Sequence, residues 1–211
     1  MNRLSLDQRV TLAIGAVLLV GLGVFAWAVP SATPWSMIEA LAGVGAALVA
    51  LGWLVPGRWT AWLWGLGSAA FLVLESAWEY EALPGESFPY QAGVWAFTAV
   101  VLMFAGARSQ GGWQTGVRAG IAGQLVASVG WALLLGIYYH NPLQTAVLES
   151  EGALARFSQS SAVSFWAWVV DDFWGGVLLR LAAGAALGAG AGALGAWVRR
   201  KVPMGRISSG S

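Results

Sequence analysis

Six ionisable side chains interrupt or border otherwise apolar stretches of this sequence: Glu39, Glu75, His140, Asp171, Asp172 and Arg180. A charge at the centre of a membrane helix costs about 2.5 to 3.5 kcal/mol even on the lenient insertion scale, so it is kept for a partner or a task. Carboxylates and a guanidinium in a recess walled by Trp and Tyr are what a small polar solute, a cation or a proton needs. Glu75, His140 and Asp171 also suit a second chemistry, as acid and base groups of a membrane-embedded enzyme. Asp171 and Asp172 point about 100° apart on a helix, so their adjacency makes no shared-proton dyad, and chelation by both needs an unwound turn. The structural alternative leaves the carboxylates at the water interface and lets Arg180 snorkel, or pair with Glu39 or Glu75 as a clamp.

Other chemistries are excluded by what is missing. With no Cys and one His, disulfides, thiolate sites, multi-His metal centres and haem pairs fall away, so no metal and no cofactor is expected. There is no G-x-S-x-G and no H-E-x-x-H, so no residue is assigned as catalytic. A net charge of +1 gives no argument for nucleic acid as a partner.

The elements that position these residues are membrane helices. Of 211 residues, 58% are hydrophobic and 10% charged, far from the soluble mix, in which about a quarter are charged. Divided by about 20 residues per crossing plus short loops, the length yields an all-α polytopic bundle of about six transmembrane helices. The spans read as residues 11–29, 35–55, 60–78, 91–107, 117–139 and 164–198. Residues 1–10 form the N-terminus and residues 199–211 a basic tail. Pro30 and Pro34 close the first span; Gln124 and Ser128 lie within the fifth. In the long connection after His140, Asn141 and Pro142 can open a short helix that Gly152 stops. The last span is too long for one straight crossing, and the Gly175–Gly176 pair is the place for a kink. After Arg180 the chain turns to Ala and Gly, with Gly184, Gly188 and Gly192 spaced for close helix packing, within the subunit, in a homo-oligomer or against a partner subunit.

Orientation follows from Lys and Arg. Arg3, Arg9, Arg58, Arg108, Arg118, Arg199, Arg200, Lys201 and Arg206 fall on one side of this arrangement, with Arg156 alone opposite. The positive-inside rule then puts both termini in the cytoplasm of a bacterial-type plasma membrane. Trp27, Trp35, Trp59, Trp78, Trp113 and Trp197 near span ends fit interfacial anchoring. The membrane-depth ionisable residues all fall toward the outer side, where one cavity can share them. The expected function is therefore a small-solute, cation or proton transporter or channel, or a substrate-binding membrane subunit, with an outward-facing polar pocket. An enzyme and a structural subunit of a membrane complex are the alternatives. Because there is no native Cys, labelling of single cysteines tests the topology cleanly. Ser87→Cys should react with an impermeant reagent from outside and Ser109→Cys from the cytoplasm, and the reverse pattern would refute the arrangement.

Overall fold

The computed structural model describes residues 4–29, 34–55, 58–82, 88–109, 111–138 and 152–201, without the side chains of residues 34, 75–82, 88–91 and 138. Every regular element among the described residues is helical. They are α1 (Leu6–Ala28), α2 (Pro34–Val49) with a π turn (Ala50–Leu54), α3 (Thr60–Ala82), α4 (Phe88–Arg108), α5 (Trp113–Tyr138), the short α6 (Ala153–Ser158), α7 (Phe165–Gly175) and α8 (Val177–Lys201). Among the described residues four stretches are long and apolar enough to cross a membrane: Leu6–Ala28, Trp35–Leu54, Trp113–Ile137 and Phe165–Lys201. Shorter apolar stretches, Thr60–Leu74 and Ala92–Arg108, lie within α3 and α4. Large apolar side chains such as Val17, Val20, Leu54, Leu74 and Leu179 stand exposed on the outside of the bundle, a surface suited to lipid rather than to water.

Local sequence explains most helix ends. Ser5 caps α1 in a reciprocal box with Gln8, which satisfies two backbone donors at once and starts the helix ahead of the apolar run. Pro34 occupies the first position of α2, where its missing N–H costs nothing. Gly112, at φ +53°, makes the left-handed turn that opens α5. Gly152, also left-handed at φ +74°, precedes α6; the helix expected on residues 142–151 lies outside the described residues. At the other break, Gly176 separates α7 from α8, and its carbonyl accepts from the Arg180 N–H at 3.0 Å to restart the helical ladder. The halves serve different neighbours: α7 packs on α2, and α8 on α5 and α4.

α5 is the axis of the bundle. Its surface from Thr115 to Val129 is almost wholly buried, enclosed by α1, α3, α4 and α8. α1 presents Thr11, Gly15, Leu18, Leu22 and Phe25 inward, the alternating three- and four-residue spacing of a packed helical stripe. Chain directions follow from which residues meet. Gly21 meets Val129 while Gly136 meets Ala28, and Gly65 meets Ala122 while Gly130 meets Val73, so α1, α3 and α5 run parallel. Gly15 meets Leu48 while Gly52 meets Thr11, so α2 returns antiparallel to α1.

Backbones touch between α5 and α8. Gly120 lies on the Gly184 carbonyl, Gly116 on that of Gly188, and Gly192 on the Gly112 and Trp113 backbone. Paired residue numbers add to a constant, which fixes an antiparallel register with four-residue steps on both sides. Gly106 and Gly195 bring α4 onto the same stretch, where Gly195 meets the Met103 carbonyl. The face of α8 carrying Gly184, Gly188 and Gly192 is thus filled by α5 of the same chain. Such contact gains dispersion and weak Cα–H···O bonds in an environment where the hydrophobic effect does not drive helices together. A side chain at Gly120 or Gly188 has no room, so Gly120→Val or Gly188→Val should lower stability by about 3 kcal/mol, read as thermal unfolding in detergent. Gly190, with open space around its Cβ position, should tolerate Ala within about 1 kcal/mol.

Candidate functional site

At the end of the bundle opposite Arg9, Arg58, Arg108, Arg118 and residues 199–201, α6 and α7 build a small recess. Ser164 caps α7 by accepting from the Ala167 N–H at 3.2 Å. Phe165 stacks on Trp168 at 6.1 Å between centroids, and Phe157 of α6 meets Phe165 edge-on at 5.7 Å. The Ser160 hydroxyl donates to the Phe157 carbonyl at 2.7 Å and ties the connecting loop. These contacts frame a cleft of about 380 Å³ lined by Ser160, Ser161, Ala162, Val163, Ala167, Trp168 and Asp171. Its chemistry is one half-buried carboxylate, two hydroxyls and one indole. The Arg156 guanidinium lies 5.5 Å from the centroid of the Trp168 ring, so that ring already receives a cation.

The other expected site residues are distributed around this cleft. Asp172 is exposed and outside the lining, as its rotation from Asp171 on the helix requires. Glu39 is half-buried near the start of α2. The Glu75 side chain and all of His140 lie outside the described residues. Arg180 does not join Glu39. Instead it folds back within its own segment: Nη2 donates to the Phe173 carbonyl, and the guanidinium covers the Phe173 ring at 4.5 Å. The break at Gly176 leaves carbonyls at the end of α7 without helical partners, and Arg180 caps one of them.

Below the cleft a polar row runs along α5. One turn past Gly120 the seam residue becomes Gln124, whose Cγ lies against Gly184, and the register carried on sets Gln124 level with Arg180 and Ser128 level with Gly176. Both side chains are at least 98% buried, yet Gln124 Oε1 and Ser128 Oγ have no hydrogen-bond partner among the described residues. Trp174 Nε1 and Arg180 Nε are in the same condition. A buried polar atom left unpaired costs about 1 to 3 kcal/mol, so this level of the bundle has unused donors and acceptors.

The basic end is built the opposite way, with its polar groups joined to one another. Arg118 of α5, 2% exposed, donates to Asp7 Oδ2 at 2.6 Å and to the Val55 carbonyl at 2.5 Å. The π turn closes with the Val55 N–H on the Ala50 carbonyl and leaves Val55 extended, which turns its carbonyl toward Arg118. One turn on from Asp7, Thr11 accepts from the Trp62 indole at 3.2 Å. One knot thus ties α1, α2, α3 and α5. The sequence leaves Asp7 in the stretch before the first span and counts Arg118, at the edge of the fifth, only among the basic residues of one side, so it does not pair them. Two signals bear on it: the Ser5–Gln8 capping pattern, which puts Asp7 in the first turn of α1, and the Gly111–Gly112 turn, which puts Arg118 inside α5.

Among the described residues no group of three His, Asp or Glu gathers that could hold a metal ion. No family model, no curated protein and no solved structure matches the chain, so the chemistry of these sites rests on their own residues. Removing one partner of a buried ion pair strands the other charge, so Arg118→Leu should cost about 3 to 5 kcal/mol and Arg118→Leu with Asp7→Asn distinctly less. Arg180→Leu should cost about 1.5 to 3 kcal/mol, the worth of a hydrogen bond from a charged donor, and Glu39→Gln should not rescue it. Thermal unfolding of the four variants, two single and two double, in detergent measures both statements.

Proposed function

We propose that the chain is a six-span protein of a bacterial-type plasma membrane, with both termini cytoplasmic, that takes a small cation from the outer side at the Asp171 cleft. The observation that carries this reading is the cleft's composition: a half-buried carboxylate, two hydroxyls and an indole. A carboxylate supplies charge, and an aromatic face attracts a cation by its quadrupole, so an ammonium-type ligand or a partly hydrated metal cation suits the recess. The concentration of basic residues at the other end supports the orientation. α3 and α4, at 23 and 21 residues, are long enough to complete six crossings. The Gly176 break serves as the kink that lets α7 wall the cleft while α8 stays on α5.

The unpaired atoms of Gln124, Ser128 and Trp174 extend the polar region inward from the cleft, as transport of the bound cation requires. The glycine seam and the Arg118 knot close the basic half, so passage requires α8 to move relative to α5. That closure favours a second reading, a structural or substrate-binding subunit that holds the cation without moving it. The enzyme reading has less support, because, of its acid and base groups Glu75, His140 and Asp171, only the Asp171 side chain is among the described residues.

Tetramethylammonium, sodium and potassium serve as probes, with binding read from Trp fluorescence of the purified protein. Asp171→Asn should weaken the preferred probe at least tenfold, since a charged contact contributes about 1.5 to 3 kcal/mol, and Asp172→Asn should stay within about twofold. Failure of all three to bind at millimolar concentration, or equal binding by Asp171→Asn, would sink the reading. Cation-driven currents on proteoliposomes would then separate a transporter from a subunit that only binds.

A further inference from the structure

A second cleft, of about 560 Å³, opens at the basic end between the α4–α5 turn and the last turns of α8. Ser109, Gly111, Gly112 and Trp113 form one wall and Ala193, Ala196, Trp197, Arg199 and Arg200 the other. We infer that this cleft binds the phosphate headgroup of an anionic phospholipid from the leaflet on that side.

Four features carry the assignment. The lining contains two guanidinium groups and one hydroxyl, and no carboxylate, so its charge is complementary to an anion. Arg199 is held in place, because its Nη1 donates to the Ala107 carbonyl at 3.3 Å, and two planar guanidinium groups suit phosphate oxygens. The first turn of α5 faces the same space after the left-handed Gly112, and the N-terminal end of a 26-residue helix adds partial positive charge. Trp113 and Trp197 stand half-exposed on the two walls, where amphipathic rings mark the headgroup level.

What distinguishes a lipid from a soluble phosphate is the surface that leads away from the cleft. Leu194 follows the lining residue Ala193 on α8, and Phe104 is level with it on α4 by the Gly106–Gly192 and Met103–Gly195 contacts; both are large, apolar and exposed, so a ligand with acyl chains has apolar surface to follow. Basic pockets between membrane helices on the positively charged side commonly take anionic headgroups. The cleft is separate from the Asp171 recess, and its assignment does not depend on the cation reading.

Native mass spectrometry of the full chain, extracted into detergent with equal phosphatidylglycerol and phosphatidylcholine, reads the preference directly. Wild type should retain phosphatidylglycerol preferentially. Arg200→Gln should reduce that retention about fivefold and Arg199→Gln with Arg200→Gln about twenty-five-fold, whereas Arg58→Gln, an exposed basic residue outside the lining, should leave it unchanged. Arg200 makes no hydrogen bond to another described residue, so its single variant tests the site without disturbing the Arg199 contact. Equal retention of the two lipids would overturn the proposal, as would equal loss in Arg58→Gln and Arg200→Gln. Displacement of the lipid by millimolar inorganic phosphate or glycerol 3-phosphate would assign the cleft to a soluble phosphate ligand instead and equally refute it.

Discussion

The backbone contact between α5 and α8 sets what the rest of the molecule can do. Gly116 and Gly120 on one helix and Gly184, Gly188 and Gly192 on the other let two chains approach with no side chains between them. Dispersion falls off steeply with separation, so a small gap forfeits much of the gain. The seam therefore behaves as joined or broken, with little in between. α4 enters the same stretch through Gly106 and Gly195, which makes the basic half a three-helix body with little freedom to hinge.

The two ends of this body manage polarity in different ways. At the basic end Arg118 gathers Asp7 and the Val55 carbonyl, which offsets much of the cost of burying a charge. Toward the other end the same helix face passes from Gly120 to Gln124 and Ser128, whose Oε1 and Oγ are buried without a partner among the described residues. The break at Gly176 occurs at that level, and Arg180 caps the end that it creates. One half is closed by packing and ion pairing. The other has a broken helix, unused hydrogen-bonding capacity and a cleft with a carboxylate, which is the division of labour expected of a scaffold that supports a site.

Much of this was legible in the sequence where the determining physics is local. Apolar runs and turn residues place the helices to within a few residues, and the four-residue glycine spacing marks α8 as a packing element. What lay beyond reach was pairing. Asp7 and Arg118 are separated by 111 positions, and each alone reads as an ordinary membrane-edge charge. For Arg180 the sequence offered Glu39 or Glu75 as a partner; the guanidinium turns to a carbonyl seven residues away and not to Glu39, while the Glu75 side chain lies outside the described residues. α1 begins at Leu6, ahead of the apolar run, because Ser5 and Gln8 cap it there. Asp171 was separable from Asp172 only in part, since helical geometry says that they diverge but not which of the two faces a recess.

The most direct test of the account is whether the glycine seam lies within one chain. Magic-angle-spinning NMR on protein carrying 13C-glycine, reconstituted in lipid and diluted with an excess of unlabelled protein, reports contacts inside a single molecule. Cross-peaks between Gly116 and Gly188 and between Gly120 and Gly184 should persist at full relative intensity on dilution. If they are absent, or vanish as labelled copies are separated, α8 packs against another partner and the central role assigned to α5 is wrong.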